Sequence, residues 1–174
     1  MRKYTPISDA VFDQPDDHFL FESVFYHLLK EFDNLYPPIE VFETASDIPE
    51  PAKIAWCLWQ FAAEVSGNGI PDYLLNHCPE IKQLIFTHHA LKLVLADELV
   101  VLLEAAIPLA REVSNEYGEF SDFPKDTWLD QFPVNPVWPD LEMISEPSWA
   151  LSAAPLSSLV ATYLRAHRAE LQSA

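Results

Sequence analysis

Along most of the chain, apolar residues recur at the three- and four-residue spacing of a buried helical stripe. Phe21, Val24, Phe25, Leu28, Leu29 and Phe32 form the first stripe, on a helix that Asp16 or Asp17 can cap and that Tyr36-Pro37-Pro38 ends after about position 33. Ile54, Leu58, Phe61, Ala62 and Val65 form the second. Asp47-Ile48-Pro49-Glu50 reads as its capping box, with Asp47 accepting from the Glu50 amide while Glu50 reaches back. This helix is predicted to run to Ser66, with Gly67 as the left-handed residue past its end. A short helix over 71–77 follows.

From 79 to about 117 the helical pattern is nearly continuous, and a break near Ala96-Asp97 divides it, with Asp97 a fresh N-cap. Leu84, Ile85, Leu91 and Val94 serve the first half. Leu99, Leu103, Ala106, Ile107 and Ala110 serve the second, which Pro108 is expected to kink because it has no amide to donate. A last helix starts at Pro155 and packs through Leu156, Leu159, Val160, Tyr163 and Leu164. Between them, 118–154 holds Pro124, Pro133, Pro136, Pro139 and Pro147, too many for a long helix. The same stretch holds Phe120, Phe123, Trp128, Phe132, Trp138 and Trp149, which argue against disorder, so it is expected to wrap over the core.

Three glycines and fifteen prolines fit helices punctuated by Pro-rich connections, since hairpins draw on Gly turns. The expected fold is all-α. It is a single-domain bundle of about five to seven helices over 1–174, with a core of about 17–117 plus 155–170 and the wrapping segment 118–154.

Charge changes the picture more than length does. The formal net charge is −17, from 27 Asp and Glu against 10 Lys and Arg, on a chain that is 49% hydrophobic and carries eleven Phe, six Tyr and five Trp. An acidic disordered tail would lack those rings, so the chain buries a core under a strongly negative surface. Direct binding to nucleic acid or to an anionic membrane is disfavoured, because such binding needs cations to neutralise phosphates. A basic protein is the natural complement. The start of the chain turns polar and acidic after Arg2-Lys3, unlike a secretory signal, and no stretch resembles a membrane span, so a cytoplasmic location is expected. Cys57 and Cys78 read as free thiols in a reducing compartment.

Catalytic patterns are missing. There is no Gly-x-Ser-x-Gly elbow, phosphate-cradling Gly loop, His-Glu-x-x-His or Cys-x-x-Cys. His88 and His89 point about 100° apart on a helix, and the pair His77-Cys78 has no matching pair, so no metal and no cofactor are expected. Paired carboxylates could hydrolyse a glycoside, yet chance proximity among 27 acids explains such pairs as well. The chain is read as a non-enzyme.

The acids themselves are the candidate site. Glu116, Glu119, Asp122, Asp126 and Asp130 follow at steps of three and four, and Asp140 and Glu142 extend the series. From Glu112 to Leu164 the only cation is Lys125. Four-residue helical steps would space carboxylates by about 6 Å, near the repeat of phosphates along one DNA strand, although Pro124 interrupts such a helix. Trp128 and Trp138 are candidate aromatic anchors for a partner. A second acidic group, Asp9, Asp13, Asp16 and Asp17, leads into the first helix, where capping and dipole compensation account for Asp16 and Asp17. As a set, the acids read equally as a solvated face or as a recognition surface.

The stretch Glu64-Val65-Ser66-Gly67-Asn68-Gly69-Ile70-Pro71-Asp72-Tyr73-Leu74-Leu75-Asn76 resembles the signature of a bacterial helical family named for its DNA-mimic member. In that family a helix ends in Glu-Val, passes an Asn-Gly-Gly-Phe turn and resumes with an aromatic and an Asn. Glu64, Val65, Gly69, Tyr73 and Asn76 match, whereas Gly67-Asn68 reverses the order, Ile70 replaces Phe and Asp72 stands for Gln. The segment from Leu159 to His167 is similar to the family's closing helix, so the resemblance spans about 52–170. It implies an acidic helical protein that presents carboxylates in place of DNA phosphates to a transcription factor, with dimerisation known among members. Glu64, Gly69, Tyr73 and Asn76 would then form a structural turn, not the mimic surface.

Two functions are expected from these features. The first is a decoy for a basic DNA-binding regulator; the alternative is an immunity protein that plugs the active site of a cognate interbacterial toxin.

Overall fold

A computed structural model of the chain describes residues 4–31, 48–75, 80–117 and 126–173. Among the described residues every regular element is helical. The order is α1 (Asp9–Phe12), α2 (Asp17–Glu31), α3 (Glu50–Asn68), α4 (Ile70–Leu75), α5 (Ile81–Leu93) and α6 (Asp97–Tyr117), then a 3₁₀ turn (Thr127–Gln131), α7 (Glu142–Ser152), α8 (Ala154–Ala166) and α9 (Arg168–Leu171). The all-α expectation holds.

The hub is α3. It touches α2, α4, α5, α7, α8 and α9. Its sequence explains this, because Ala52, Ile54, Ala55, Trp56, Cys57, Leu58, Phe61 and Val65 bury almost its whole circumference, as a helix surrounded by others requires. Phe25 of α2 stacks on both Trp56 and Trp59, at ring separations of 4.8 and 5.2 Å. Leu20, Phe21, Val24, Phe25 and Leu28 bring α2 onto α3, and Leu156, Val160 and Leu164 bring α8 onto both. The Asp16 carboxylate accepts from the Phe19 amide at 3.0 Å, so Asp16 is the cap of α2. That leaves Asp17 for another partner.

The two ends of the described fold are clasped together. The Ile7 amide donates to the Leu171 carbonyl at 3.0 Å, and the Tyr4 hydroxyl donates to the same oxygen at 2.9 Å. Arg165 donates to Asp17 at 2.6 Å, and Arg168 bonds Asp9 and reaches Asp13 at 3.4 Å.

The division near Ala96-Asp97 is where the sequence places it, and its geometry is specific. At the end of α5 the Ala96 amide donates to the Leu91 carbonyl and the Leu95 amide to the Lys92 carbonyl, the paired bonds of a Schellman cap. Such a cap needs a left-handed residue. Here it is Leu95, at φ 61°, in a place where glycine usually sits, and its side chain is 71% exposed. Beyond it α6 continues through Pro108 as one helix.

Two expectations are corrected. Gly67 is not the left-handed terminator: α3 continues through Asn68, and the positive φ, 84°, belongs to Gly69. Packing decides the position, since a Cβ on Gly69 would lie 2.5 Å from the Ser145 carbonyl oxygen, whereas one on Gly67 would meet nothing within 4 Å. Second, the wrapping segment is not merely a wrap, because α7 forms within it and packs on α3, α4, α6 and α8. Asp140 accepts from the Met143 amide at 3.0 Å to start the helix, and Pro147 forfeits only the bond to the Met143 carbonyl. The buried stripe of α7 is Ile144, Ser148 and Ser152, two of them polar, so hydropathy does not announce it. The proposed cap Asp47 lies outside the described residues.

Candidate acidic surface

The charges sort into those consumed by the fold and those left on the surface. Arg111, Arg165 and Arg168, the arginines of the described residues, all meet carboxylates. Asp9 is held below the usual carboxylate range by its hydrogen bond from Arg168, then by that from Gln172 and by the Arg168 charge. Asp17 is likewise lowered, first by the Ser158 hydroxyl and then by Arg165. Asp9, Asp13 and Asp17 are therefore tied to cations and serve the clasp, whereas Asp16 caps α2.

The main acidic series is partly consumed too. The Asp126 carboxylate accepts from the Trp128 amide at 2.7 Å as the cap of the 3₁₀ turn. Asp130 accepts from Arg111 at 2.5 Å, and Asp140 caps α7. Glu116 lies in the last turn of α6, and its side chain, like Glu119 and Asp122, lies outside the described residues. Of the expected site acids, Glu142 is exposed with no ionic or hydrogen-bonded partner among the described residues.

The expected anchors turn inward. Trp128 is half-buried against Phe132 at 4.7 Å and His88 at 5.3 Å, and Trp138 packs on the core from the loop before α7. They pin the segment because a flat indole covers much apolar surface, and the core offers it more contact than water does. Among the described rings of 126–154, the exposed one is Trp149, at 51%. On α7 it follows Glu142 and Glu146 at steps of four and three, and all three are exposed, so the outer face of α7 carries two carboxylates and an indole in line. Sequence reasoning noticed Trp149 only as one aromatic of many; the helical register that aligns it with Glu142 and Glu146 was hidden by the serine stripe beneath.

The turn from α3 to α4 is internal. The Gly69 amide donates to the Val65 carbonyl at 2.9 Å, and the Ile70 amide donates at 2.9 Å to the Ser148 hydroxyl, which itself donates to the Ser145 carbonyl. The turn is thereby sewn to α7. Tyr73 is fully buried, edge-on to Phe61, with its hydroxyl 3.2 Å from Thr87 Oγ1. Cys57 Sγ meets the same oxygen at 3.2 Å. Burial pushes that thiol up to about 12, against the smaller opposing effect of the Thr87 hydrogen bond, so Cys57 is not a nucleophile. Glu64 is partly buried nearby, and Asn76 lies outside the described residues.

Among the described residues, no group of three or more His, Cys, Asp or Glu is placed to hold a metal, and no helix is long and apolar enough to cross a membrane.

Comparison with known proteins returns a family and no individual relative. No curated protein and no solved structure matches the chain significantly. A family model described as DMP19-like protein matches residues 46–167, well over half of the 174 residues. That span opens just before α3 and closes just after α8, and so contains the hub helix, the Gly69 turn and the helix with the exposed carboxylates. The chain belongs to the DMP19-like protein family.

Proposed function

We propose that this protein is a non-enzymatic decoy that occupies the basic surface of a nucleic-acid-binding protein such as a transcription factor, its carboxylates standing in for DNA phosphates. Membership of a DNA-mimic family supports this reading. The observation that carries it on this chain is the outer face of α7, where Glu142 and Glu146 lie exposed, with no cationic partner among the described residues, beside exposed Trp149. The arginines of the described residues are engaged elsewhere, at Asp130, Asp17 and Asp9. Carboxylates on a rigid helix attract cations over several ångströms and speed encounter, while an indole supplies apolar and cation–π contact to an arginine that arrives.

The test is capture from the native cytoplasm followed by competition. A captured DNA-binding protein that duplex DNA releases, and that Glu142→Gln with Glu146→Gln weakens by about tenfold, is the expected result. A captured toxin that duplex DNA does not release would replace the decoy with the immunity function.

A further inference from the structure

A second feature combines shape with charge at a different place. The left-handed Leu95 turn, the end of α7 and the start of α8 enclose a groove of about 410 Å³, whose apolar lining includes Leu95, Leu151, Pro155 and Leu159. Asp97 and Glu98 stand on its rim, both exposed, without an ionic partner among the described residues, and no Lys or Arg lines the groove. The α6 N-terminus offsets only about half a unit of positive charge against their two negative ones. The site therefore stays anionic around an apolar floor.

Leu95 makes the groove more than a gap in packing. An L-residue in the left-handed region is strained, and glycine would close the same cap without that cost. Leu95 is 71% exposed, so most of this apolar side chain stands open to solvent at the groove.

We infer that this groove docks a cationic amphipathic segment of the protein partner, its apolar side chains lying against Leu95, Leu151 and Leu159 and its Lys or Arg side chains meeting Asp97 and Glu98. A second copy of this chain is the poorer occupant, because it would bring another −17 to an anionic rim. The inference rests on the decoy reading's basic partner, but it adds a site away from the Glu142–Trp149 face.

The experiment uses the full chain and two labelled helical peptides followed by fluorescence anisotropy. One peptide carries leucines on one face and arginines elsewhere; the other keeps the arginines and has serine for each leucine. Leu95→Gly preserves charge and is expected to stay folded, with a raised melting temperature. It should weaken the leucine peptide by about tenfold, as loss of one buried leucine contact predicts, and leave the serine peptide unchanged. Asp97→Asn with Glu98→Gln should weaken the leucine peptide several-fold and flatten its salt dependence. Equal binding of the leucine peptide to wild type and Leu95→Gly overturns the groove. So does a wild-type dimer in sedimentation that Leu95→Gly dissolves, since the occupant is then a second copy. If the groove fails while salt-sensitive binding of the serine peptide persists, the decoy reading stands; if neither peptide binds in a salt-sensitive way, both readings fall.

Discussion

Cys57 shows how far burial alone can move a side chain's chemistry. Its thiol, held at about 12 by desolvation, stays protonated wherever the chain is folded, while an unfolded cysteine ionises near about 8.5. An acid with a raised folded-state value contributes stability that is present below the unfolded value and is lost as pH rises toward the folded one. Tyr73, also raised by burial, acts in the same direction. Thermal melts should therefore fall as pH climbs above about 9, and in a Cys78→Ser background a thiol reagent should label Cys57 only at the rate of unfolding. Rapid labelling of the folded protein would contradict the buried geometry. The two neighbouring glycines make a second test. Gly69→Ala must fit a Cβ 2.5 Å from a backbone oxygen at positive φ, and should cost about 2–4 kcal/mol in denaturant melts. Gly67→Ala, with open space around it and a helical backbone, should stabilise by about 0.5–1 kcal/mol. The sequence names both glycines as able to turn, but only packing against α7 tells which one does.

At the scale of the elements, Leu95→Gly should raise stability by about 1 kcal/mol, read as an upward shift of the unfolding midpoint, because it relaxes the cap of α5 without touching the core. A drop instead would mean that the leucine side chain contributes to packing. The long helices that could be read in advance, α2, α3, α5, α6 and α8, are those whose buried stripes are spelled largely in Leu, Ile, Val, Phe and Ala, and the short α4 was legible as well. Helix α7 was illegible because Ser148 and Ser152 reach its buried face by bonding to main chain, which composition registers as polarity, and because Pro147 reads as a breaker. Missing α7 also concealed the candidate face. Acids counted along the sequence cannot be separated into caps, such as Asp126 and Asp140, ion-paired residues, such as Asp130, and exposed residues, such as Glu142, until helix register and the reach of Arg111 are known. The Gly69–Tyr73 signature was legible, and it reports on how α4 and α7 dock.

For the whole molecule, excess negative charge works against the compact state. Added salt should raise the melting temperature, most steeply at low ionic strength, where screening changes fastest; a flat response would mean that the carboxylates are already neutralised. Acid acts on the clasp. Asp9 and Asp17 have depressed folded-state values, so their contribution is fully present above the ordinary value of about 3.9 and is lost as pH falls through the depressed ones. Amide exchange in α1 should rise below about pH 4, before the α3 core opens. The meeting of Ile7 and Tyr4 with Leu171 also has a topological reading. Because the two ends of the described fold are stitched to one carbonyl, a short linker can join them with little loop-closure cost, and new termini can be cut at an exposed turn. The hub α3 would then sit near one end of a permuted chain or near its middle, according to where the ring is opened. Its packing would stay the same while the order in which its neighbours are synthesised changed, making this fold a ring for asking whether the hub must emerge early for the bundle to form.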